Sequence, residues 1–334
     1  LYSLCFICFF IGNNSDISHI KLELFKWVVI MQILLTGGAG FIGSHLVDTL
    51  LDFGNKVYVI DDLSSGKLEN LNRSATIYKM DICDQHLGEL LRDIQPEIVF
   101  HLAAQVSVPR SVHNPYEDAR VNVLGTVNLL DACVKAGVKR VVFSSSAAVY
   151  GMPQYLPINE AHPLHAISHY GVSKVAAEEY IKLYQRMYGT NYVILRYANV
   201  YGPRQDAEGE GGVVSIFANR LASKDALTIF GSGEQTRDFI YVKDVVRANL
   251  AAATCSPNLT INVSTGEATS INQLAQMMIS TANTPVEVIY QPERQGDIQH
   301  SVLSPQLAWE VMGWKPNYKL EDGLKDMLLN STGQ

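Results

Sequence analysis

The stretch Met31-Gln32-Ile33-Leu34-Leu35-Thr36-Gly37-Gly38-Ala39-Gly40-Phe41-Ile42-Gly43 decides how the rest of the chain is read. Ile33 to Leu35 have the length and composition of a buried parallel strand. Gly37, Gly40 and Gly43 then supply a tight turn, a close backbone approach and a helix packed against that strand. The N-terminus of such a helix offers free N–H groups and the positive end of its dipole, which favour a pyrophosphate. Three glycines at this spacing also occur for packing alone, so the residues beyond Gly43 have to decide between the two.

The chain has 334 residues, 47% of them hydrophobic and 18% charged, enough for one large core or two unequal ones. A formal charge of -7 with no basic run disfavours a nucleic-acid partner, because neutralising phosphates requires a basic face. The cysteines Cys5, Cys8, Cys83, Cys133 and Cys255 form an odd set without metal-ligand spacing in the body of the chain, as expected of reduced cytoplasmic thiols. The single Cys5-x-x-Cys8 has no neighbouring His or Cys pair to complete a zinc site, and no metal is expected. Residues 1–30 contain the apolar stretch Leu4 to Ile11, too short to span a bilayer and without the basic flank of a secretory signal. They read as a non-catalytic extension ahead of Met31, and no membrane partner is expected.

From Ile33 onward, strand-like and helix-like apolar segments alternate, the pattern of an α/β protein with a doubly wound parallel sheet covered on both faces. Lys56 to Ile60 reads as the second strand and ends in Asp61-Asp62. Asp61 lies 18 residues beyond Gly43, where a carboxylate accepts from the adenosine ribose hydroxyls and repels the extra phosphate of NADP, favouring NAD. By itself it is equally a turn carboxylate. Thr76 to Lys79 and Ile98 to His101 supply the third and fourth strands, followed by Asp81-Ile82 and by the small-residue turn Leu102-Ala103-Ala104. Tyr116 to Ala136 has helical spacing, carries Asn122 and stops at Gly137. Arg140 to Phe143 is the fifth strand and opens into Ser144-Ser145-Ser146-Ala147-Ala148.

The second chemical element is Tyr170-Gly171-Val172-Ser173-Lys174, opening a helix that runs to about Tyr188. A separation of four places Tyr170 and Lys174 on one helical face. An ammonium there, with a positively charged nicotinamide ring, stabilises a phenolate that acts as a base near neutral pH. Alone, Tyr-x-x-x-Lys is more often a ring packed on a lysine stem. Here it follows a Gly-triad half and lies 24 residues beyond Ser146 at a strand end, the arrangement that a hydroxyl-oxidising site needs.

Together these residues resemble the extended short-chain dehydrogenase/reductase family, and within it the UDP-glucose 4-epimerase group. The similarity covers Met31 to roughly Leu329 and includes Gly37 to Gly43, Asp61, Asp81-Ile82, Ser144 to Gly151, Tyr170 to Lys174, Leu195 to Asn199, Phe230-Gly231, Arg237-Asp238-Phe239 and Arg294 to Asp297. The resemblance implies a Rossmann-type NAD domain over residues 31–198, to which about 238–265 return, and a nucleotide-sugar lobe over 199–334. It implies Tyr170 as base, Lys174 as its electrostatic partner and nicotinamide-ribose anchor, and Ser146 rather than Ser145 as hydrogen-bond relay. NAD contacts are implied for Gly37, Gly40, Phe41, Ile42, Gly43, Asp61, Asp81, Ile82, Leu102, Ala103, Ala104, Asn122 and Tyr197. Asn199 is implied on the diphosphate, Phe230 against uracil, Arg237 and Arg294 on phosphate oxygens and Asp297 on the uridine ribose. Thr228 and Ser301 are implied in the substrate pocket.

Guanidiniums suit bidentate diphosphate recognition, although surface pairing of Arg237 or Arg294 with Asp238 or Asp297 is the plain alternative. Gly209 to Gly212 reads as a mobile loop over the sugar. Val242 to Ala253 reads as a helix and Thr260 to Val263 as a strand, and Ile271 to Ala282, Val286 to Tyr290 and Pro305 to Met312 complete the smaller lobe. Expected is C4 epimerisation of a UDP-hexose through a 4-keto sugar by an isomerase that keeps its NAD. The related dehydratases and decarboxylases carry carboxylates after the relay hydroxyl, where this chain has Ala147-Ala148. Small Ser301 favours acceptance of N-acetylated sugars, unless it merely packs at a loop. The alternatives are a UDP-glucuronate 4-epimerase, another nucleotide-sugar 4,6-dehydratase or decarboxylase of the same family, and an NAD-sensing binding protein. The family implies a homodimer through the helices at Tyr116–Ala136 and Tyr170–Tyr188.

Overall fold

The computed structural model describes residues 30–206, 212–294 and 296–330. The extension over residues 1–29 and most of the expected Gly209–Gly212 loop lie outside the described residues.

Seven parallel strands form the central sheet: β1 (Gln32–Thr36), β2 (Lys56–Asp61), β3 (Thr76–Lys79), β4 (Ile98–His101), β5 (Arg140–Ser146), β6 (Asn191–Tyr197) and β11 (Leu259–Val263). Their spatial order is β11-β6-β5-β4-β1-β2-β3. The order reverses between β1 and β4, and a crevice opens there at the carboxyl ends of the strands. Alternation along each strand feeds two cores. Ile33 and Leu35 of β1 pack with Leu46, Val47 and Leu50 of α1 (Phe41–Asp52) and with Val245, Val246 and Ala252 of α8 (Val242–Thr254). Leu34 turns to the other face, against Leu87 and Leu91 of α2 (Leu87–Ile94), Leu129 and Cys133 of α5 (Thr126–Ala136) and Ile181 of α6 (His169–Tyr188). Each such aliphatic side chain, fully withdrawn from water, contributes about 1.5–3 kcal/mol.

The smaller lobe is built on α7 (Val213–Ala222), the parallel pair β8 (Leu227–Phe230) and β13 (Val288–Gln291), α9 (Ile271–Ala282) and α11 (Leu320–Asn330). Phe217, Leu227, Ile229, Leu274, Met278 and Leu324 form its core. Short strands β7 (Asn199–Tyr201) and β10 (Phe239–Tyr241) join the lobes, and β9 (Thr236–Arg237) is sandwiched between β12 (Thr269–Ser270) and β14 (His300–Ser301). The α10 helix (Gln306–Met312) returns to the first core through Ala308 and Met312.

One expectation is corrected. The segment expected as one helix over Tyr116–Ala136 begins at α4 (Pro115–Ala119), directly after the short α3 (Val108–His113), where the Asn114 side chain caps Glu117 N–H. It then passes through a π-helical turn over Arg120–Gly125 before α5. The π turn sets Gly125 against the Ile82 side chain, where a Cβ would meet Ile82 Cδ1 at 2.6 Å. Within the segment Val286–Tyr290 of the smaller lobe, β13 starts at Val288 and runs on to Gln291 in register with β8.

Candidate functional site

A cavity of about 590 Å³ lies over the carboxyl ends of β1, β2, β4 and β5. Gly37, Gly40, Phe41, Ile42, Gly43, Asp61, Asp81, Ile82, Leu102, Ala103, Ala104, Ser146, Tyr170, Lys174 and Tyr197 all line it. The glycine turn is tight in a checkable way. Gly37 adopts φ +72°, and a Cβ there would meet Ala103 N at 2.6 Å; a Cβ on Gly43 would sit 2.1 Å from Gly37 O. Gly40 is the N-cap of α1 and offers no side-chain acceptor, so the first-turn N–H groups are left to a ligand at the cavity wall. A cradle that excludes Cβ atoms and ends in open helix N–H groups fits the pyrophosphate of NAD.

Asp61 lines the cavity at the end of β2. Its carboxylate accepts from Ala39 N–H and Leu63 N–H, both at 2.9 Å, and burial pushes it above the ordinary carboxylate range. Burial also acts on Asp81, but Cys83 N–H at 2.8 Å and the Arg120 guanidinium at 2.9 Å outweigh it and hold that carboxyl below the usual range.

At the other end stand Tyr170 and Lys174, on the first turns of α6 behind the cap of Ser168 on Gly171 N–H. The Lys174 Nζ donates to Ser144 O at 2.9 Å, 4.8 Å above the Phe143 ring and 5.9 Å from the centre of the Tyr170 ring. Burial pushes the Lys174 ammonium down to about 8, against the opposing pull of Asp118 and Glu178. Burial, then Lys174, pushes His101 down to about 3; its neutral ring links Thr36 and Thr126 hydroxyls at 2.7 and 2.9 Å. The three serines at the tip of β5 have separate roles. Ser144 Oγ meets the Tyr197 hydroxyl at 3.0 Å, Ser145 Oγ donates to buried Glu178 at 2.6 Å, and Ser146 Oγ accepts from Ala148 N–H at 3.2 Å. The Ser145 hydroxyl is thus engaged by Glu178, although the residue lines the cavity with Ser144 and Ser146.

Asn122 stands apart from the other expected cofactor residues. It is buried behind the wall, accepts from Gln105 N–H at 2.8 Å and donates to Gln105 O, Asp118 and Ser173. Its amide supports the wall instead of lining the cavity. The expected substrate residues lie on β7, β8, β9, β14 and the segment before β14, and Thr228, Phe230, Arg237, Arg294, Asp297 and Ser301 are not among the residues that line the cavity. Exposed Asn199 lies between the cavity-lining Ala198 and Val200. Thr228 and Phe230 are on β8, and the Arg294 guanidinium stacks 3.8 Å from the Phe230 ring centre. Arg237 is in register with Ser301 across β9 and β14, and burial lowers its pKa while Asp297 opposes the shift. Asp238 does not pair with Arg237: it is buried and accepts from Thr265 N–H, Thr265 Oγ1 and Gly266 N–H.

Other lining residues carry no sequence signal of their own: Gln105, Arg110, Glu117 and the segment Arg204-Gln205-Asp206. That segment is tied to α1 by Arg204 with Asp48 at 2.8 Å and by His45 with Pro203 O at 2.9 Å. Gln205 donates Nε2 to Val200 O at 3.1 Å, and its buried Oε1 has no hydrogen-bond partner among the described residues. A ligand donor is the natural partner for such an acceptor. No group of three or more His, Cys, Asp or Glu suited to a metal is found among the described residues.

The chain matches the sequence profile of the NAD dependent epimerase/dehydratase family over residues 33–264. A putative UDP-glucose 4-epimerase of Methanocaldococcus jannaschii is 46% identical over 295 residues, 88% of this chain and 96% of the relative. The crystal structure of UDP-glucose 4-epimerase with UDP-glucose from Thermotoga maritima superposes with a TM-score of 0.87 at 46% identity, covering 90% of this chain and 99% of that one. UDP-N-acetylglucosamine 4-epimerase from Methanobrevibacter ruminantium, in complex with UDP-N-acetylmuramic acid, superposes with the same TM-score of 0.87 at 39% identity, over 91% and 100% of the two chains. The chain belongs to the NAD-dependent epimerase/dehydratase family.

Proposed function

We propose that the chain interconverts C4 epimers of a UDP-hexose, UDP-glucose and UDP-galactose first among them, as an isomerase with resident NAD. The observation that carries this reading is the clamp between Lys174 and Ser144 O, which brings the Tyr170 helix and the Ser146 strand tip to the wall of the cavity that the glycine cradle opens on. Gly37, Gly40, Gly43 and the N-terminus of α1 hold the pyrophosphate, Asp61 and Asp81 the adenosine, and Tyr170, Lys174 and Tyr197 the nicotinamide end. When bound, NAD would supply a reversible acceptor for the C4 hydride. Tyr170, stabilised as phenolate by the neighbouring ammonium, takes the proton of the sugar 4-hydroxyl with Ser146 as relay. After the 4-keto sugar turns its other face, Tyr170 returns the proton to the oxygen at the inverted carbon. Ala147 and Ala148 follow Ser146 with no carboxylate, so elimination at C5 and C6 lacks its acid.

In this reading Asn199, Phe230, Arg237, Arg294 and Asp297 hold the uridine diphosphate, and the sugar turns among weaker contacts that include Thr228 and Ser301. Arg110, at the cavity wall, favours UDP-glucuronate as the second reading. A second copy pairs through α4, α5 and α6, a surface that exposes Tyr116 (75%), Leu124, Val172, Met187 and Tyr188. No helix among the described residues is long and apolar enough to cross a membrane, and the reduced-thiol pattern favours the cytoplasm. The deciding experiment identifies the cofactor released from the purified protein and follows UDP-galactose by NMR. Interconversion with UDP-glucose at catalytic NAD supports the epimerase; a 4-keto-6-deoxy product, or no reaction on any UDP-hexose, overturns it.

A further inference from the structure

His101, at the end of β4, is 1% exposed and takes no part in the proposed chemistry, yet both of its ring nitrogens are engaged. The direction of each bond follows from its neighbours. The Thr126 hydroxyl, at the start of α5, donates to Asn122 O in the π turn at 2.7 Å, so its one proton is used. Toward His101 Nε2, at 2.9 Å, Thr126 Oγ1 can only accept, and Nε2 therefore carries the ring proton. At the other end, Thr36 Oγ1 on β1 accepts from Ala103 N–H at 3.2 Å and lies 2.7 Å from Nδ1. A bare Nδ1 accepts the Thr36 hydroxyl, and every hydrogen of the chain then has a partner. An imidazolium would make the Thr36 oxygen an acceptor twice over and leave its own proton buried without a partner. Histidine suits the place because a neutral imidazole carries an acceptor on one side of a rigid ring and a donor on the other.

We propose that His101 is a positioning residue for the cofactor: locked as the neutral Nε2–H tautomer, it joins β1 to the π turn and fixes the wall residue Ala103 against the glycine cradle. Ala103 lines the cavity, and its backbone nitrogen lies 2.6 Å from where a Cβ on Gly37 would stand, so its place sets the fit of the turn that takes the pyrophosphate. Hydrogen bonds continue from the Asn122 side chain, whose Nδ2 donates to Ser173 Oγ at 3.0 Å, and Ser173 Oγ donates to Tyr170 O at 3.0 Å. The network thus runs from the cofactor wall to the helix of Tyr170 and Lys174. The positioning role rests on the reading of the cavity as the NAD site.

The test uses the purified protein with 15N-labelled histidine. At neutral pH the His101 ring is expected to show one protonated and one bare nitrogen, the protonated one being the nitrogen that couples to Hδ2. The signal is assigned by its loss in His101→Gln, or by its displacement in Thr36→Val if that variant does not fold. A ring protonated on Nδ1, or on both nitrogens, overturns the proposal. Thr126→Val keeps the side-chain shape, removes the acceptor of Nε2–H and alters a residue outside the cavity lining. NAD is expected to dissociate from it about five-fold faster or more, the effect of one buried hydrogen bond. Thr126→Ser, which keeps the hydroxyl, restores the parental rate. Thr281→Val, which removes a hydroxyl bond to Met277 O within α9, leaves the rate unchanged. Should Thr126→Val not fold, Thr36→Val breaks the same chain at its other end. A parental rate in the broken chain overturns the positioning role even where the tautomer is as expected. A parent that binds no NAD overturns the cofactor reading and this role together, and the tautomer spectrum, which needs no cofactor, tells that failure from a wrong polarity of the chain.

Discussion

Lys174 Nζ lies 2.9 Å from the carbonyl oxygen of Ser144, and this one bond joins the helix that carries Tyr170 to the strand tip that carries Ser146. Because the lysine is enclosed, its charge governs both chemistry and stability, with opposite signs. Burial lowers it from 10.5 to about 8, so the proposed activity falls as pH rises through about 8. The folded protein releases that proton more readily than the unfolded chain, so the cost of burying the ammonium is present below about 8 and is relieved as pH climbs toward 10.5. Chemical denaturation across this range should show Lys174→Met lacking the rise in stability that the parent shows. Equal slopes in the two proteins would contradict the assignment.

Tyr170→Phe removes the phenol oxygen while the ring still fills its buried place. Bound NAD is expected at parental level, with turnover of UDP-galactose reduced by ~10²–10⁴-fold. Near-parental turnover would refute the base.

Gly43→Ala places a Cβ 2.1 Å from Gly37 O, and both atoms are fixed by the turn. The purified variant should carry no NAD by absorbance and by release. Cofactor retention would mean that the α1 N-terminus moves more readily than its packing implies.

Glu178 and Arg196 form a buried ion pair that continues through the Tyr150 hydroxyl, at 3.0 Å from Arg196, to Asn262 at 2.6 Å. Glu178→Ala leaves the guanidinium buried without its carboxylate and is expected to cost about 3–5 kcal/mol in urea unfolding. The double variant Glu178→Leu/Arg196→Met should cost less than the single one, because it removes both charges together.

The sheet was legible because buried parallel strands are short apolar runs with turn residues at their ends, and Ile33–Leu35 and Arg140–Phe143 have that form. The Tyr170 and Lys174 pair was legible because helical spacing is a local property. The chain from Glu178 through Arg196 and Tyr150 to Asn262 joins α6 to β6, β11 and the turn after β5, and no local spacing encodes such a meeting. Asn122 illustrates the same boundary. Its place on a helical segment was readable, but only the π turn shows that its amide serves the Gln105 backbone. Likewise, the carboxylate of Asp238 reads as a partner for Arg237 until the fold shows it turned inward to Thr265 and Gly266.

Ser301 sits opposite Arg237 in the β14–β9 register and is half-buried. If the sugar turns beside this position, the side chain here sets how much bulk the ring may carry at C2. Serine leaves room for an acetamido group, and UDP-N-acetylglucosamine is therefore expected to be epimerised alongside UDP-glucose. Ser301→Tyr adds a ring without changing charge or strand pairing. It should lower kcat/KM for the acetylated sugar by at least ~10-fold, the size of discrimination that steric filling of a pocket supplies, and leave UDP-glucose within a few-fold. Coupled assays with the two sugars measure the ratio directly. Equal losses on both would place Ser301 in the scaffold of β9 and β14, and parental ratios would remove it from the sugar pocket.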